Sequence, residues 1–227
     1  MASIGHDVVG VDLDERKTAS LADGVAPFFE PRLEELLREG LASGRLRFST
    51  DMADAAGSDV HFLAVGTPQL AGGQAADLRF VDGAVAALLP FLRPGDVVAG
   101  KSTVPVGTAA RLAEDVESAG AELVWNPEFL REGWAVHDTL TPDRIVVGAG
   151  PRGERAVDVL RTVYRAAVDS GTPFLVTDLA TAELVKGAAN AFLATKISFI
   201  NAMAEIAEAA GADVTLLAEA LGHDSRI

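Results

Sequence analysis

Hydrophobic residues along this chain fall into two patterns, short continuous runs and stripes at helical spacing. The runs are typical of strands that are covered on both faces, as in a parallel sheet. They predict strands at residues 5–12, 45–50, 60–65, 96–100, 122–125, 144–148 and 173–177. The stripes predict helices at 31–40, 52–56, 80–92 and 154–166, a helix that ends at 119, and a long helix at 178–211. This alternation predicts an α/β fold with a doubly wound, mostly parallel sheet.

The segment 178–211 predicts a helix of unusual length. It contains no proline, Asp178 can cap its start, and Gly211 can end it. At about 1.5 Å per residue such a helix spans roughly 45–50 Å, which suggests a strut between two domains. Its face with Lys186, Asn190 and Asn201 is otherwise apolar, so the amine and the two amides need buried partners or a ligand. The alternative is a solvated face with one amphipathic lysine.

Composition and charge narrow the function classes. The 227 residues are 49% hydrophobic and 23% charged, with a formal net charge of −14. This charge argues against a nucleic-acid or membrane partner, although backbone amides and a few cations can still hold an anionic ligand. The chain has no cysteine, which excludes disulfides and a thiol nucleophile within it, and we predict no metal site. No apolar run approaches about 20 residues and no signal peptide is visible, so we expect a cytoplasmic location.

Polar loops follow three of the predicted strands, at residues 66–68, 101–103 and 126–133. The carboxyl ends of parallel strands meet at one edge of a sheet, and open α/β sheets bind their ligands there. The three loops therefore predict one shared ligand site. Each loop taken alone could instead be an ordinary turn.

Asp12 ends the first predicted strand. In dinucleotide-binding folds, an acid at the end of the second strand binds the adenosine ribose and disfavours a 2′-phosphate. The glycine-rich turn that should precede this acid by about 20 residues is absent, so we expect a Rossmann-like fold with its first strand missing. Alternatively Asp12 is a plain turn residue, and Lys17 fits either a ribose contact or a solvated position.

Three motifs in order carry a resemblance to a known family. They are Lys101–Thr108 (KSTVPVGT), Asn126–Gly133 (NPEFLREG) and Glu183–Asn190 (ELVKGAAN). With them the chain resembles the nucleotide-sugar 6-dehydrogenases over essentially its whole length. The resemblance implies oxidation of a sugar C6 alcohol to a carboxylate in two steps, with two NAD+ and a cysteine that carries a thiohemiacetal and then a thioester.

The resemblance also implies a domain organisation. Residues 1–177 would be the NAD-binding Rossmann-like domain, and 178–227 the start of a central helical dimerisation domain, with a homodimer formed through the helix 178–211. The chain would be truncated at both ends, without the catalytic cysteine loop and the C-terminal domain. We therefore expect a segment of an enzyme that is inactive by itself.

Individual residues receive roles from the same resemblance. The implied cofactor contacts are Asp12, Lys17, Thr67, Ser102, Thr103 and Glu132. The implied catalytic residues are Thr103, Glu128, Lys186 and Asn190. The implied substrate contacts are Glu128, Phe129, Leu130, Glu132, Lys186, Asn190 and Arg226. In this scheme Glu128 works through water in thioester hydrolysis, Lys186 steadies the oxyanion, and Arg226 reaches the substrate of the partner subunit.

Two alternatives remain open. A sibling enzyme would act on GDP-mannose or UDP-N-acetylmannosamine, whereas the residues at 126–133 and 143–145 favour UDP-glucose. A non-catalytic nucleotide-binding or assembly module would use the long helix only for dimerisation. A glycine-turn strand upstream and a cysteine loop downstream would favour the enzyme.

Overall fold

The computed structural model describes residues 1–226, in which strands and helices alternate. The strands are β1 (Val8–Val11), β2 (Leu46–Ser49), β3 (Val60–Leu63), β4 (Val97–Gly100), β5 (Glu122–Trp125), β6 (Ile145–Ala149) and β7 (Phe174–Asp178). The α-helices are α1 (Glu15–Ala22), α2 (Leu33–Ala42), α3 (Arg79–Leu88), α4 (Thr108–Ser118), α5 (Ala135–Leu140), α6 (Glu154–Val163), α7 (Arg165–Asp169), α8 (Leu179–Ala210) and α9 (Val214–Gly222). Short 3-10 helices lie at Ala2–Ile4, Met52–Ala55 and Leu89–Phe91.

Backbone hydrogen bonds organise the strands into two sheets. β1 and β2 pair in parallel, and β3 to β7 form a five-stranded sheet in sequence order. Neighbouring strands of the larger sheet run parallel, except that β5 and β6 pair antiparallel. The predicted α/β class with a mostly parallel sheet is confirmed.

Strands β3, β4 and β5 of the larger sheet end at one level. Leu63, Gly100 and Trp125 are the last residues of β3, β4 and β5 and stand in register, and we call this the carboxyl edge. β6 runs in the opposite direction but overlaps β5 only near their ends, with Trp125 opposite Gly148. Gly148 pairs in turn with Thr177, near the end of β7. This stagger brings the end of β7, and with it the start of α8, to the carboxyl edge.

A buried apolar cluster lies on both sides of the contact between β5 and β6. Its members are Val97, Ala99, Val124, Ile145, Val147, Ala156, Val157, Leu160, Tyr164 and Ala167. The Trp125 ring is fully buried against Gly100, where a Cβ atom would overlap it. A Cβ atom on Gly148 would lie 2.5 Å from the Ala182 Cβ and 2.8 Å from the Asp178 carbonyl oxygen. Glycine at these two positions therefore allows the ring and the first turn of α8 to approach the sheet closely.

Several elements differ from the sequence prediction. The helix predicted at 154–166 is divided at Tyr164 into α6 and α7, and the segment predicted at 52–56 is a 3-10 helix. The helix predicted at 80–92 ends at Leu88 and continues as a 3-10 turn that contains Pro90, a residue without a backbone donor. Helices α1, α5 and α9 were not predicted.

The described chain divides into two compact units, which meet in sequence at Leu184 and Val185. The helix predicted at 178–211 is confirmed to within one residue at each end. Asp178 caps its start, and Gly211 follows its end in the left-handed conformation, with φ 72°. The domain division predicted at 177 and 178 stays a prediction. No helix within residues 1–226 has the length and apolar character that crossing a membrane requires.

A buried histidine lies at the opposite edge of the sheet, where the parallel strands begin. The His61 Nε2 atom is 3.5 Å from Asp96 Oδ2, and it has no hydrogen-bond partner among the described residues. Asp96 accepts hydrogen bonds from Arg93, from its backbone amide at 2.8 Å and its guanidinium at 3.1 Å. Burial lowers the pKa of His61, Asp96 opposes this shift, and the Arg93 charge adds to it.

From the burial of His61 we predict that the folded protein loses stability in mild acid. Below about pH 6.5 the unfolded chain binds a proton that folded His61 resists, so the free energy of unfolding falls as the pH falls. We expect the Tm to drop less between about pH 7.5 and about pH 5.5 in His61→Gln than in the wild type, measured by calorimetry. His223 is exposed, so the Tm of His223→Gln should fall between these pH values as much as that of the wild type. An equal fall of the Tm in all three proteins would contradict the prediction.

Candidate active site at the carboxyl edge of the sheet

Two of the predicted loops are joined directly at the carboxyl edge. The Thr67 hydroxyl donates to the Thr103 carbonyl oxygen at 2.7 Å, and the buried Ser102 hydroxyl donates to the Val65 carbonyl oxygen at 2.7 Å. The structure therefore brings Thr67, Ser102 and Thr103 together. Because the Thr67 and Ser102 hydroxyls donate their protons to the backbone, they are left to act as acceptors toward any ligand.

The third loop joins the same edge through Asn126. This side chain is buried, and its amide donates to the Val146 carbonyl oxygen at 2.8 Å. Its Oδ1 atom accepts from the Tyr164 hydroxyl at 2.7 Å and from Lys101 Nζ at 3.3 Å. Burial raises the pKa of Tyr164, which keeps its hydroxyl a neutral donor. Lys101 and Asn126 thus connect the loops after β4 and β5.

The segment after Asn126 is held by charged side chains. Glu128 accepts a hydrogen bond from the Leu130 backbone amide at 2.6 Å. The Arg144 guanidinium stacks 4.1 Å from the centre of the Phe129 ring. Hydrogen bonds from Arg131 lower the pKa of Asp138 to about 2, so this pair stays charged at neutral pH.

Sequence reasoning missed a buried carboxylate that supports this segment. Glu30 is 7% exposed and accepts hydrogen bonds from the Gly133 amide at 2.9 Å and the Val136 amide at 3.4 Å. It lies between the exposed Phe29 and Pro31, in a stretch with no strand or helix pattern. Its partners are backbone amides, so no complementary side chain marks it in the sequence.

Asp12 and Lys17 form a cluster in the turn between β1 and α1. The Lys17 ammonium pairs with Asp12 Oδ2, and Asp12 Oδ1 accepts from the Asp14 amide at 3.0 Å. The hydrogen bond from Lys17 lowers the pKa of Asp12. The ionised carboxylate lies at the end of a parallel strand and offers acceptor oxygens to a ribose diol, which fits the adenosine side of NAD.

Glu132 is exposed in the first unit, and the second unit carries Lys186, Asn190 and Arg226. Lys186 and Asn190 are one helical turn apart in α8; Lys186 is 7% exposed and Asn190 is exposed. Lys186 is therefore buried, whereas the two amides predicted on the same face, Asn190 and Asn201, are exposed. Arg226 is exposed, and it donates three hydrogen bonds to Asp224, from its guanidinium at 2.9 and 2.6 Å and from its backbone amide at 3.0 Å. The functional roles of all the site residues stay predictions.

Glu183 begins the third sequence motif, but sequence reasoning gave it no role. It is 3% exposed and lies in the part of α8 that belongs to the first unit. Its partners are the Gly107 and Ala109 amides. Its position one turn before Lys186 was a usable signal, because both polar residues fall on one face of a helix.

Within residues 1–226, no group of three or more His, Cys, Asp or Glu side chains is placed to hold a metal ion.

Comparison with known protein families shows the family of this chain. Residues 1–168 match the NAD binding domain of the UDP-glucose/GDP-mannose dehydrogenase family, and residues 180–227 match its central domain. The chain belongs to this family. Its NAD-binding domain confirms the predicted cofactor, and the predicted enzyme class, an NAD-dependent oxidoreductase, is that of the family.

Individual relatives are similar over the whole chain. A UDP-glucose 6-dehydrogenase from Rhizobium meliloti (strain 1021) is 46% identical over 231 residues, which cover 100% of this chain and 53% of the relative. A UDP-glucose dehydrogenase structure from Pyrobaculum islandicum has a TM-score of 0.90 at 44% identity, covering 100% of this chain and 53% of that one. A GDP-mannose dehydrogenase structure from Pseudomonas aeruginosa has a TM-score of 0.92 at 30% identity, with the same coverage. This family member thus spans about half the length of these relatives.

Proposed function

We propose that the protein containing this chain oxidises the C6 alcohol of UDP-glucose to a carboxylate, with two NAD+ per sugar. The observation that carries the proposal is the joining of three loops at the carboxyl edge, through the Thr67–Thr103 and Lys101–Asn126 hydrogen bonds. Open α/β sheets bind their ligands at this edge. The 46% identity to a UDP-glucose 6-dehydrogenase supports the choice of reaction.

Bound NAD+ would accept a hydride from the sugar carbon, and residues of the chain would stabilise the charge that develops and position the groups that exchange protons. As the alcohol is oxidised, negative charge develops on the C6 oxygen. An ammonium removed from bulk water stabilises such charge more than solvent does, and we assign this role to Lys186, with Asn190 as an amide donor. Glu128 would position the water that hydrolyses a thioester formed between the sugar carbon and a cysteine of the complete protein, which releases the carboxylate and the free thiol. Thr103 would present its hydroxyl beside the cofactor.

The sugar nucleotide differs between similar dehydrogenases, because related structures include a GDP-mannose dehydrogenase. We favour UDP-glucose because identity is 44% to the UDP-glucose dehydrogenase structure and 30% to the GDP-mannose enzyme. NADH formation by the complete protein should be assayed with UDP-glucose, GDP-mannose and UDP-N-acetylmannosamine. UDP-glucose should give the highest kcat/KM. A higher value with another sugar would reassign the substrate, and no NADH with any of them would favour a non-catalytic nucleotide-binding module.

Cofactor choice gives a prediction at Asp12. Its carboxylate should repel a 2′-phosphate, so the complete protein should prefer NAD+ to NADP+, although the paired Lys17 weakens the repulsion. We expect Asp12→Asn to lower the ratio of kcat/KM for NAD+ over NADP+ about tenfold, which corresponds to about 1.4 kcal/mol. The matched control is Asp7→Asn, because Asp7 is an exposed aspartate that pairs with Arg45. An unchanged ratio in Asp12→Asn would remove Asp12 from the cofactor site.

We further propose that the protein is a homodimer formed through α8. Large apolar side chains are exposed along this helix, and they are Leu184, Phe192, Leu193, Ile197, Phe199 and Ile206. Such a row is unusual on a solvated surface and typical of an interface between subunits. Light scattering should give twice the subunit mass for the complete protein, and Phe192→Glu should lower it toward one subunit.

A further inference from the structure

The start of α4 is held by a residue that is distant in sequence. Glu183 Oε2 accepts a hydrogen bond from the Gly107 amide at 2.7 Å, and Oε1 accepts from the Ala109 amide at 2.6 Å. The carboxylate is 3% exposed, so these bonds form almost entirely out of water. Both of its oxygens are engaged by backbone donors. Hydrogen bonds to a charged acceptor are stronger than neutral ones, and this pair is a substantial tether.

The sequence at the start of α4 provides no side-chain acceptor for the first backbone amides of the helix. The N-cap residue is Gly107, which has φ 98° and no side chain that could accept from the first helical amides. The carboxylate of Glu183 supplies the missing acceptor and also complements the positive end of the helix dipole. Because the position is filled by the protein itself, it is closed to the phosphate groups that helix N-termini otherwise attract.

The loop that leads into α4 carries Thr103 and is held at its start, in its middle and at its far end. At its start the Lys101 amide donates to the Leu63 carbonyl oxygen at 2.8 Å and the Ser102 hydroxyl donates to the Val65 carbonyl oxygen at 2.7 Å. In its middle the Thr103 carbonyl oxygen accepts from the Thr67 hydroxyl. At its far end the two hydrogen bonds to Glu183 tie it to the first turns of α8. Thr103 therefore lies between two tethers, and the second one depends on a single side chain.

We propose that Glu183 is a positioning residue for the dehydrogenase reaction, which holds the Thr103 loop by filling the N-terminus of α4. This proposal rests on the proposed function only for the role of Thr103; the tether itself is independent of the substrate. Glu183 acts through the loop and does not contact the reacting atoms. Its loss frees the far end of the loop while the start and the middle remain attached.

The test compares two identical substitutions in the complete protein. Glu183→Gln keeps the shape of the side chain but replaces one acceptor oxygen by a donor, which then faces a backbone amide. Glu114→Gln is the matched control, because Glu114 is exposed and lies in the same helix α4. Amide hydrogen exchange, steady-state kinetics and the Tm are measured for both variants.

We expect exchange of residues 102–109 to become at least about tenfold faster in Glu183→Gln, with β4 and β5 unchanged. Misplacement of a reacting group by about 1 Å costs up to about a hundredfold in rate, so kcat should fall about tenfold to a hundredfold. The KM values for NAD+ and for the sugar nucleotide should stay within about threefold, because the remaining contacts still bind both ligands. Glu114→Gln should match the wild type in every measurement.

Three outcomes overturn the proposal. The first is unchanged amide exchange at residues 102–109 in Glu183→Gln, and the second is a normal kcat despite faster exchange there. The third is a lowered Tm with faster exchange throughout the sheet, because Glu183 would then contribute only to general stability. A wild-type protein that forms no NADH would instead overturn the proposed function. In that case exchange confined to 102–109 still supports the tether, so the two failures are distinguishable.

Discussion

Replacement of Lys186 by alanine is expected to lower the kcat of the complete protein about 10²–10³-fold. The Lys186 residue is 7% exposed, so charge that develops beside its side chain is weakly screened by water and interacts strongly with it. The Kd of the sugar nucleotide should change much less, because the interaction grows only as the C6 oxygen becomes negative. Turnover and substrate binding should be measured on the same preparations.

Two further variants separate catalysis from the loss of any lysine. Lys196 is exposed in the same helix, so Lys196→Ala should leave kcat near the wild-type value. Lys186→Arg should restore activity only in part, because a planar guanidinium does not replace a compact ammonium in a packed position. A nearly normal kcat in Lys186→Ala would assign Lys186 to the packing of α8 and remove it from the reaction.

The second large effect concerns Trp125, whose ring is fully buried at the end of β5. Trp125→Ala should lower the free energy of unfolding by about 3–5 kcal/mol, because the surrounding core cannot fill the cavity that is left. Equilibrium urea unfolding of the complete protein should be followed by circular dichroism. Circular dichroism is preferred to fluorescence because this variant itself removes a tryptophan.

Gly100 provides an internal control for this prediction. In the wild type a Cβ atom on Gly100 would overlap the Trp125 ring, so Gly100→Ala should cost about 1–3 kcal/mol. In the Trp125→Ala background the added methyl group enters space that the ring has vacated, and its cost should largely disappear. Equal costs of Gly100→Ala in both backgrounds would show that the two residues do not depend on each other.

The fold was predictable where local pattern and local chemistry agree. Helix α8 has suitable residues throughout, Asp178 to cap it and Gly211 to end it, and its bounds were predicted to within one residue. The direction of β6 was not predictable, because a continuous apolar run such as Ile145–Ala149 looks the same in a parallel or an antiparallel strand. The break between α6 and α7 falls at Tyr164, whose hydroxyl partner, Asn126, is distant in sequence.

The candidate site was predictable to a similar extent. The loops at Thr67, Thr103 and Asn126 were expected to share an edge because they follow parallel strands, and their hydrogen bonds show that they do. The two buried glutamates were missed for a common reason. Glu183 and Glu30 bind backbone amides, 76 and 103 residues away in sequence for Gly107 and Gly133, and every residue type except proline offers that donor.

The stagger of β6 divides the larger sheet into two parts with different kinds of attachment. Across the β5–β6 boundary only the last two residues of each strand pair, and the Asn126 side chain adds one further hydrogen bond to β6. Most of the cohesion at this boundary therefore comes from the apolar cluster that spans it. Hydrophobic attachment near room temperature is entropic and weakens on cooling, whereas a ladder of backbone hydrogen bonds does not depend on it in this way. The boundary is thus the part of the sheet whose cohesion is most sensitive to cold.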